Sequence, residues 1–135
     1  MPPSVASLMK ADAPAASSGD SLTDVANRMR SSRVSAVVIM EDIRLVGIIT
    51  ERDLVRAVAE GRDPRTTAVS DCMTESPQTI AAGEPASTAA ERMIALGVRH
   101  LPVMKDDHLV GVVSARDLLH LGRPLPLEQL SYEPW

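Results

Sequence analysis

Apolar positions along the chain change period several times, and each change marks an element. Leu22, Val25, Ala26 and Met29 stand at helical spacing, as do Ala86, Ala89, Ala90, Met93 and Ile94. Ser21 with Asp24 three positions on forms a capping-box pattern before the first helix. Pro85 suits the first position of the second helix, and Gly97 follows it where a left-handed stop is wanted. Two short apolar runs come next in each case: Ala36–Met40 then Leu45–Thr50, and Leu101–Met104 then Leu109–Ser114. Polar turns separate them, Glu41-Asp42-Ile43-Arg44 and Lys105-Asp106-Asp107-His108, so each pair is predicted to be a β-hairpin. Thr50 and Ser114 then cap a final helix carrying Leu54, Val55 and Val58, or Leu118 and Leu119.

The same order of elements occurs twice because the sequence itself repeats. Residues 5–58 lie on residues 69–122 at a constant offset of 64, without a gap. Leu45-Val46-Gly47-Ile48-Ile49-Thr50-Glu51-Arg52-Asp53-Leu54 falls on Leu109-Val110-Gly111-Val112-Val113-Ser114-Ala115-Arg116-Asp117-Leu118. Ala26, Arg28 and Met29 fall on Ala90, Arg92 and Met93, and Val5 and Met9 fall on Val69 and Met73. The chain therefore divides into repeat 1 (5–58), a Gly- and Pro-punctuated linker (59–68), repeat 2 (69–122) and a Pro-rich tail (123–135). A unit of this size buries only about 60% of its unfolded surface alone, so the two copies are expected to pack on each other. The Ala/Ser/Pro-rich stretch Ala11–Gly19 is expected to be weakly structured.

Composition narrows the function. Of 135 residues 44% are hydrophobic, yet there is no Phe, and the two aromatics, Tyr132 and Trp135, fall in the tail. The core must be aliphatic, and a base-stacking platform for single-stranded nucleic acid is excluded. A net charge of −4 implies no basic surface for duplex DNA. Cys72 alone makes neither an internal disulfide nor a multi-cysteine metal site; it is expected to be a buried, inert thiol. No apolar run reaches the roughly 20 residues that span a bilayer, and no signal-peptide pattern opens the chain, so a cytoplasmic protein without membrane partners is expected. Twelve Arg against two Lys, in an Ala-rich chain, point to a bacterial source. Leu125, Leu127, Leu130, Tyr132 and Trp135, kept extended by Pro124, Pro126 and Pro134, are expected to dock on a dimer mate or a client protein.

No nucleophile–base arrangement and no metal-ligand cluster is evident, so no enzyme is expected. Thr50-Glu51-Arg52-Asp53 and Ser114-Ala115-Arg116-Asp117 have two compatible readings. As capping boxes they need no ligand. As helix N-termini they offer free N–H groups and a hydroxyl to a phosphate, with a carboxylate one turn on for ribose hydroxyls. Arg62 and Arg65 in the linker, His108 in a turn and His120 on the last helix are expected to be solvated.

The repeated pattern of glycine, two β-branched residues, Ser or Thr, two variable residues and Asp is similar to the signature of cystathionine-β-synthase (CBS) domains. So are Val69-Ser70-Asp71-Cys72-Met73-Thr74, the following Pro77, Thr79 and Ile80, and Arg99-His100-Leu101-Pro102-Val103. Two such domains in tandem resemble a Bateman module. The resemblance implies an α+β fold of two β-α-β-β-α units, packed about a pseudo-twofold axis through their small sheets. It also implies a non-enzymatic regulator that binds AMP, ADP or ATP in clefts between the repeats, with S-adenosylmethionine and NAD as further adenosine ligands. The binding residues it implies are Thr50, Asp53, Thr79, Ile80, Arg99, His100, Ser114 and Asp117. The alternative is a structural adaptor with vestigial pockets.

Repeat 1 departs from this pattern, with Ala13-Pro14-Ala15-Ala16 in place of Pro77-Gln78-Thr79-Ile80 and Ser35-Ala36 in place of Arg99-His100. In modules the chain resembles, each pocket is composite. Thr50 and Asp53 are therefore expected to share Thr79, Ile80, Arg99 and His100. Ser114 and Asp117, facing Ala15, Ala16, Ser35 and Ala36, are expected to lack a cation and to bind a nucleotide more weakly. Glu51 beside Thr50 would repel a polyphosphate, favouring AMP or ADP over ATP. A homodimer is expected through apolar surface left on the helices bearing Leu22, Val25 and Met29, and Ala89 and Met93.

Overall fold

The computed structural model describes residues 2–119. The tail, His120 and the expected tail docking lie outside the described residues. Two compact units emerge: a first of residues 12–78 with 106–109, and a second of 2–11, 79–105 and 110–119.

In the first unit, Ser21 and Asp24 close the predicted capping box and start α2 (Leu22–Ser32). The helix ends on Arg33 in the left-handed conformation, φ 56°. A four-stranded sheet covers its apolar face, made of β1 (Ala15–Ala16), β2 (Ala36–Glu41), β3 (Arg44–Thr50) and β4 (Thr74–Glu75) in that spatial order. The hairpin β2 (Ala36–Glu41) and β3 (Arg44–Thr50) pairs antiparallel, with a register slip between Ile39 and Met40. The slip skips Val46, whose carbonyl instead accepts from the Ser76 N–H at 3.1 Å. Strand β1 (Ala15–Ala16) runs parallel to β2 inside the stretch expected to be weakly structured. That expectation is corrected: alanine has low strand propensity, but Val38 donates to Pro14 O and Ala16 joins the core, so pairing overrides propensity. Helix α3 (Glu51–Ala59) buries Asp53 and Ala57 and packs Leu54 on the core. Its Val55 and Val58 point to solvent.

The second unit repeats this plan. Helix α4 (Ala86–Leu96) stops on Gly97 at φ 69°, as expected, while Pro85 is its N-cap, one position earlier than predicted. Three strands, in the order β5-β6-β7, make its sheet: β5 (Ile80–Ala81), β6 (His100–Lys105) and β7 (His108–Ser114). Pairing of β5 with β6 begins at Ile80↔Val103, one residue later than in the first unit. The cause is Pro102, the counterpart of Val38, which has no N–H to give. Ser114 caps α5 (Ala115–Leu118).

The compact units do not follow the sequence repeats at their opening segments. Helix α1 (Val5–Leu8), from repeat 1, belongs to the second unit, where Val5 is fully buried with Ile80, Leu101, Val103 and Val113. Its Val5 and Ala6 N–H groups donate to Glu84 O and Ala82 O, and Lys10 exchanges two backbone bonds with Val112. The equivalent segment of repeat 2, a short 3-10 turn at Val69–Asp71 followed by β4 (Thr74–Glu75), belongs to the first unit. There Val69 joins Leu22, Val25 and Ile49 in the core.

Leu22, Val25, Met29, Ala89 and Met93 are all buried in their own units. The apolar side chains left exposed are Ile94, 83% exposed, and Leu96 on α4, and Val55 and Val58 on α3.

Candidate functional site

Both Ser/Thr–x–x–Asp turns are formed, and their cause is local. A hydroxyl at the N-cap satisfies an otherwise orphaned amide, and the carboxylate one turn on reaches back to the N-cap amide. In the second unit the Asp117 N–H donates to Ser114 Oγ at 3.1 Å, and the Ser114 N–H donates to Asp117 Oδ2 at 2.8 Å. Asp117 Oδ1 and the Ser114 hydroxyl hydrogen find no partner among the described residues.

In the first unit the network is more closed. The Thr50 N–H donates to Asp53 Oδ2 at 2.9 Å, and the Thr50 hydroxyl donates to that same oxygen at 3.1 Å. The other oxygen, Oδ1, faces Arg56 Nη1 at 3.5 Å. Asp53 is 8% exposed, the one buried charged residue among those described. Glu51, half-buried beside it, has its carboxyl pushed above the usual range by desolvation.

Each turn is tied to the strand entering its sheet. Ala115 N–H donates to Arg99 O at 2.8 Å, and Glu51 N–H donates to Ser35 O at 3.0 Å. Arg99, exposed, and His100, half-buried, therefore lie beside Ser114 and Asp117 in the second unit. Thr79 and Ile80 belong to this unit as well: Ile80 pairs with Val103 on β6, and Arg92 Nη1 donates to Thr79 O at 2.7 Å. Within the second unit, β6 thus enters its sheet directly beside the end of β7. Thr50 and Asp53 have Ser35 in the equivalent place.

Burial, with the Arg99 charge adding to it, pushes His100 down to about 4. The imidazole is thus neutral near pH 7, and Arg99 is the fixed positive charge of the pair. Cys72, half-buried, has its thiol raised first by burial, which suits the inert role expected of it. Arg62 and Arg65 make short-range ion pairs with Glu60 and Asp63 in the exposed linker.

Two features were missed in the sequence. Arg28 and Arg92 tie the preceding strand to the helix through Ala15 O and Thr79 O, a role their identity at the 64-residue offset could have signalled. Arg56 against Asp53 has no such signal, since its counterpart is His120.

Comparison with known proteins agrees with this architecture. The model of the CBS domain family matches residues 5–60 and 69–123. An uncharacterised protein of Methanopyrus kandleri is 31% identical over 121 residues, 87% of this chain and 62% of that protein. The chain thus spans under two thirds of that relative's length. Among solved structures, a CBS domain protein of Pyrobaculum aerophilum complexed with AMP is 30% identical, with a TM-score of 0.81 over 87% of this chain and 92% of that one. A CBS domain pair in complex with 5-methylthioadenosine and S-adenosylmethionine is 25% identical, with a TM-score of 0.80 over 88% and 94% of the two chains.

Proposed function

The chain belongs to the CBS domain family, as a tandem pair, and on that footing we propose that it is a non-enzymatic regulatory module that binds an adenosine ligand. The ligand is an adenine nucleotide, AMP or ADP before ATP, held by the second unit. Asp117 Oδ1 accepts from the ribose hydroxyls, the Ser114 hydroxyl and Arg99 hold the phosphate, and Thr79 and Ile80 flank the base. His100 lies beside the phosphate as a neutral donor. Thr50 and Asp53 form the weaker counterpart. The observation that carries this reading is the Ser114–Asp117 turn beside Arg99, with acceptor and donor capacity left over after capping. The AMP and S-adenosylmethionine complexes of similar chains support it.

The module is cytoplasmic and bacterial in this reading. It acts as a homodimer on a separate client protein, with the exposed apolar side chains of α3 and α4 as its contact surface.

Calorimetric titration with AMP tests the proposal. The wild type should release heat, and Asp117→Ala should lose the tighter phase. Arg99→Ser should weaken AMP by about ten- to a hundredfold while sparing adenosine, since a charge-assisted bond contributes roughly 1.5–3 kcal/mol. No heat with AMP, ADP, ATP, NAD or S-adenosylmethionine would leave the adaptor alternative in its place.

A further inference from the structure

The two carboxylates of the repeated turns are not equally free. Asp117 spends one oxygen on its cap and keeps Oδ1 uncommitted among the described residues. Asp53 spends Oδ2 on two donors, the Thr50 N–H and the Thr50 hydroxyl, and Oδ1 faces the Arg56 guanidinium. The Asp53 side chain is 10% exposed and that of Arg56 60%, so the guanidinium lies on the solvent side of a nearly buried carboxylate. The Thr50 hydroxyl hydrogen, turned inward to Asp53, is not offered outward either.

Resting on the adenosine-binding reading above, we propose that Arg56 is a specificity-determining residue. It engages Asp53 and withholds it from a ribose, so that the two repeats bind in a fixed order, Asp117 first. A ligand at Asp53 must displace an internal ion pair, whereas Asp117 makes none among the described residues. The sequence supplies an arginine at this position in one copy alone, because the offset places His120 opposite Arg56. An ion pair of this exposure sets a modest bias, about two- to fivefold in affinity. Arg56 therefore ranks the sites without abolishing one.

A ligand-free experiment reads the engagement directly. The full-length protein is treated with a water-soluble carbodiimide and glycine ethyl ester, and the modified peptides are quantified by mass spectrometry. Asp53 should label more slowly than Asp117 in the wild type. Arg56→Gln should raise Asp53 labelling about two- to fivefold without changing Asp117, and Arg56→Lys should restore protection. Titration with AMP should then show the weaker phase strengthened by a similar factor in Arg56→Gln, with the tighter phase unmoved. Asp53 labelling that ignores Arg56→Gln, or a weaker phase that weakens further, overturns the proposal. A wild type that binds no AMP would end the adenosine reading, while the labelling result would still decide whether Arg56 guards Asp53.

Discussion

The two repeats carry the same Ser/Thr–x–x–Asp turn at the same register, yet they surround it with different chemistry. Beside Ser114 and Asp117 stand Arg99 and a neutral His100; beside Thr50 and Asp53 stand Ser35 and Ala36, with Arg56 on the carboxylate itself. One turn is bonded through its backbone to the arginine that precedes β6, and the other has its carboxylate paired with an arginine of its own helix. The lesson is that a shared capping motif fixes where the hydroxyl and carboxylate stand, while neighbouring residues decide whether they are available. The backbone shows the same division of labour: a left-handed stop ends both long helices, but glycine occupies it in one copy and arginine in the other.

The largest effect that would separate the units comes from His100. Its folded pKa, about 4, lies below the ordinary value of 6.5. Between those values the unfolded chain binds a proton that the folded chain does not, so stability rises with pH across this window and is lost as pH falls through it. The loss between pH 7 and pH 4 should be about 3 kcal/mol. Urea denaturation of wild type and His100→Ala at both pH values measures it. The variant copies the Ala36 of repeat 1 and should lose this part of the acid sensitivity; an unchanged pH slope would show that burial does not hold the imidazole neutral.

A second difference lies in the glycine that begins each signature. A Cβ on Gly111 would meet the Lys10 carbonyl at 2.7 Å, as well as the Met9 thioether, and backbone cannot step aside. A Cβ on Gly47 would meet only the side chain of Met73, which can swing away. Gly111→Ala should therefore cost about 1–3 kcal/mol, and Gly47→Ala less than about 1 kcal/mol. Equal losses in thermal melts would mean that the opening segments are held equally loosely in both units.

The smallest effect exchanges the helix stops. Arg33→Gly relieves a left-handed non-glycine residue and should stabilise the protein by about 1 kcal/mol, and Gly97→Arg should cost a similar amount. Chemical denaturation with no gain for Arg33→Gly would show that the arginine side chain compensates for its own backbone strain.

Sequence by itself determined the parts governed by neighbours along the chain. The 64-residue offset, the helical and alternating periods, the three capping boxes and the stop at Gly97 all depend on residues within a turn or a hairpin of one another. Their physics is short-range, so they can be read from spacing. Only tertiary structure decided which opening segment completes which sheet, because Val5 and Val69, and Met9 and Met73, are the same residue types and fit either slot as far as spacing can tell. It also decided that Ala15 and Ala16 form a strand, that the Arg99 carbonyl meets the turn at Ala115, and that Arg56 meets Asp53. Burial is the first cause that depresses His100, ahead of the adjacent Arg99 charge, and burial depends on every element packed around it, which no local pattern encodes.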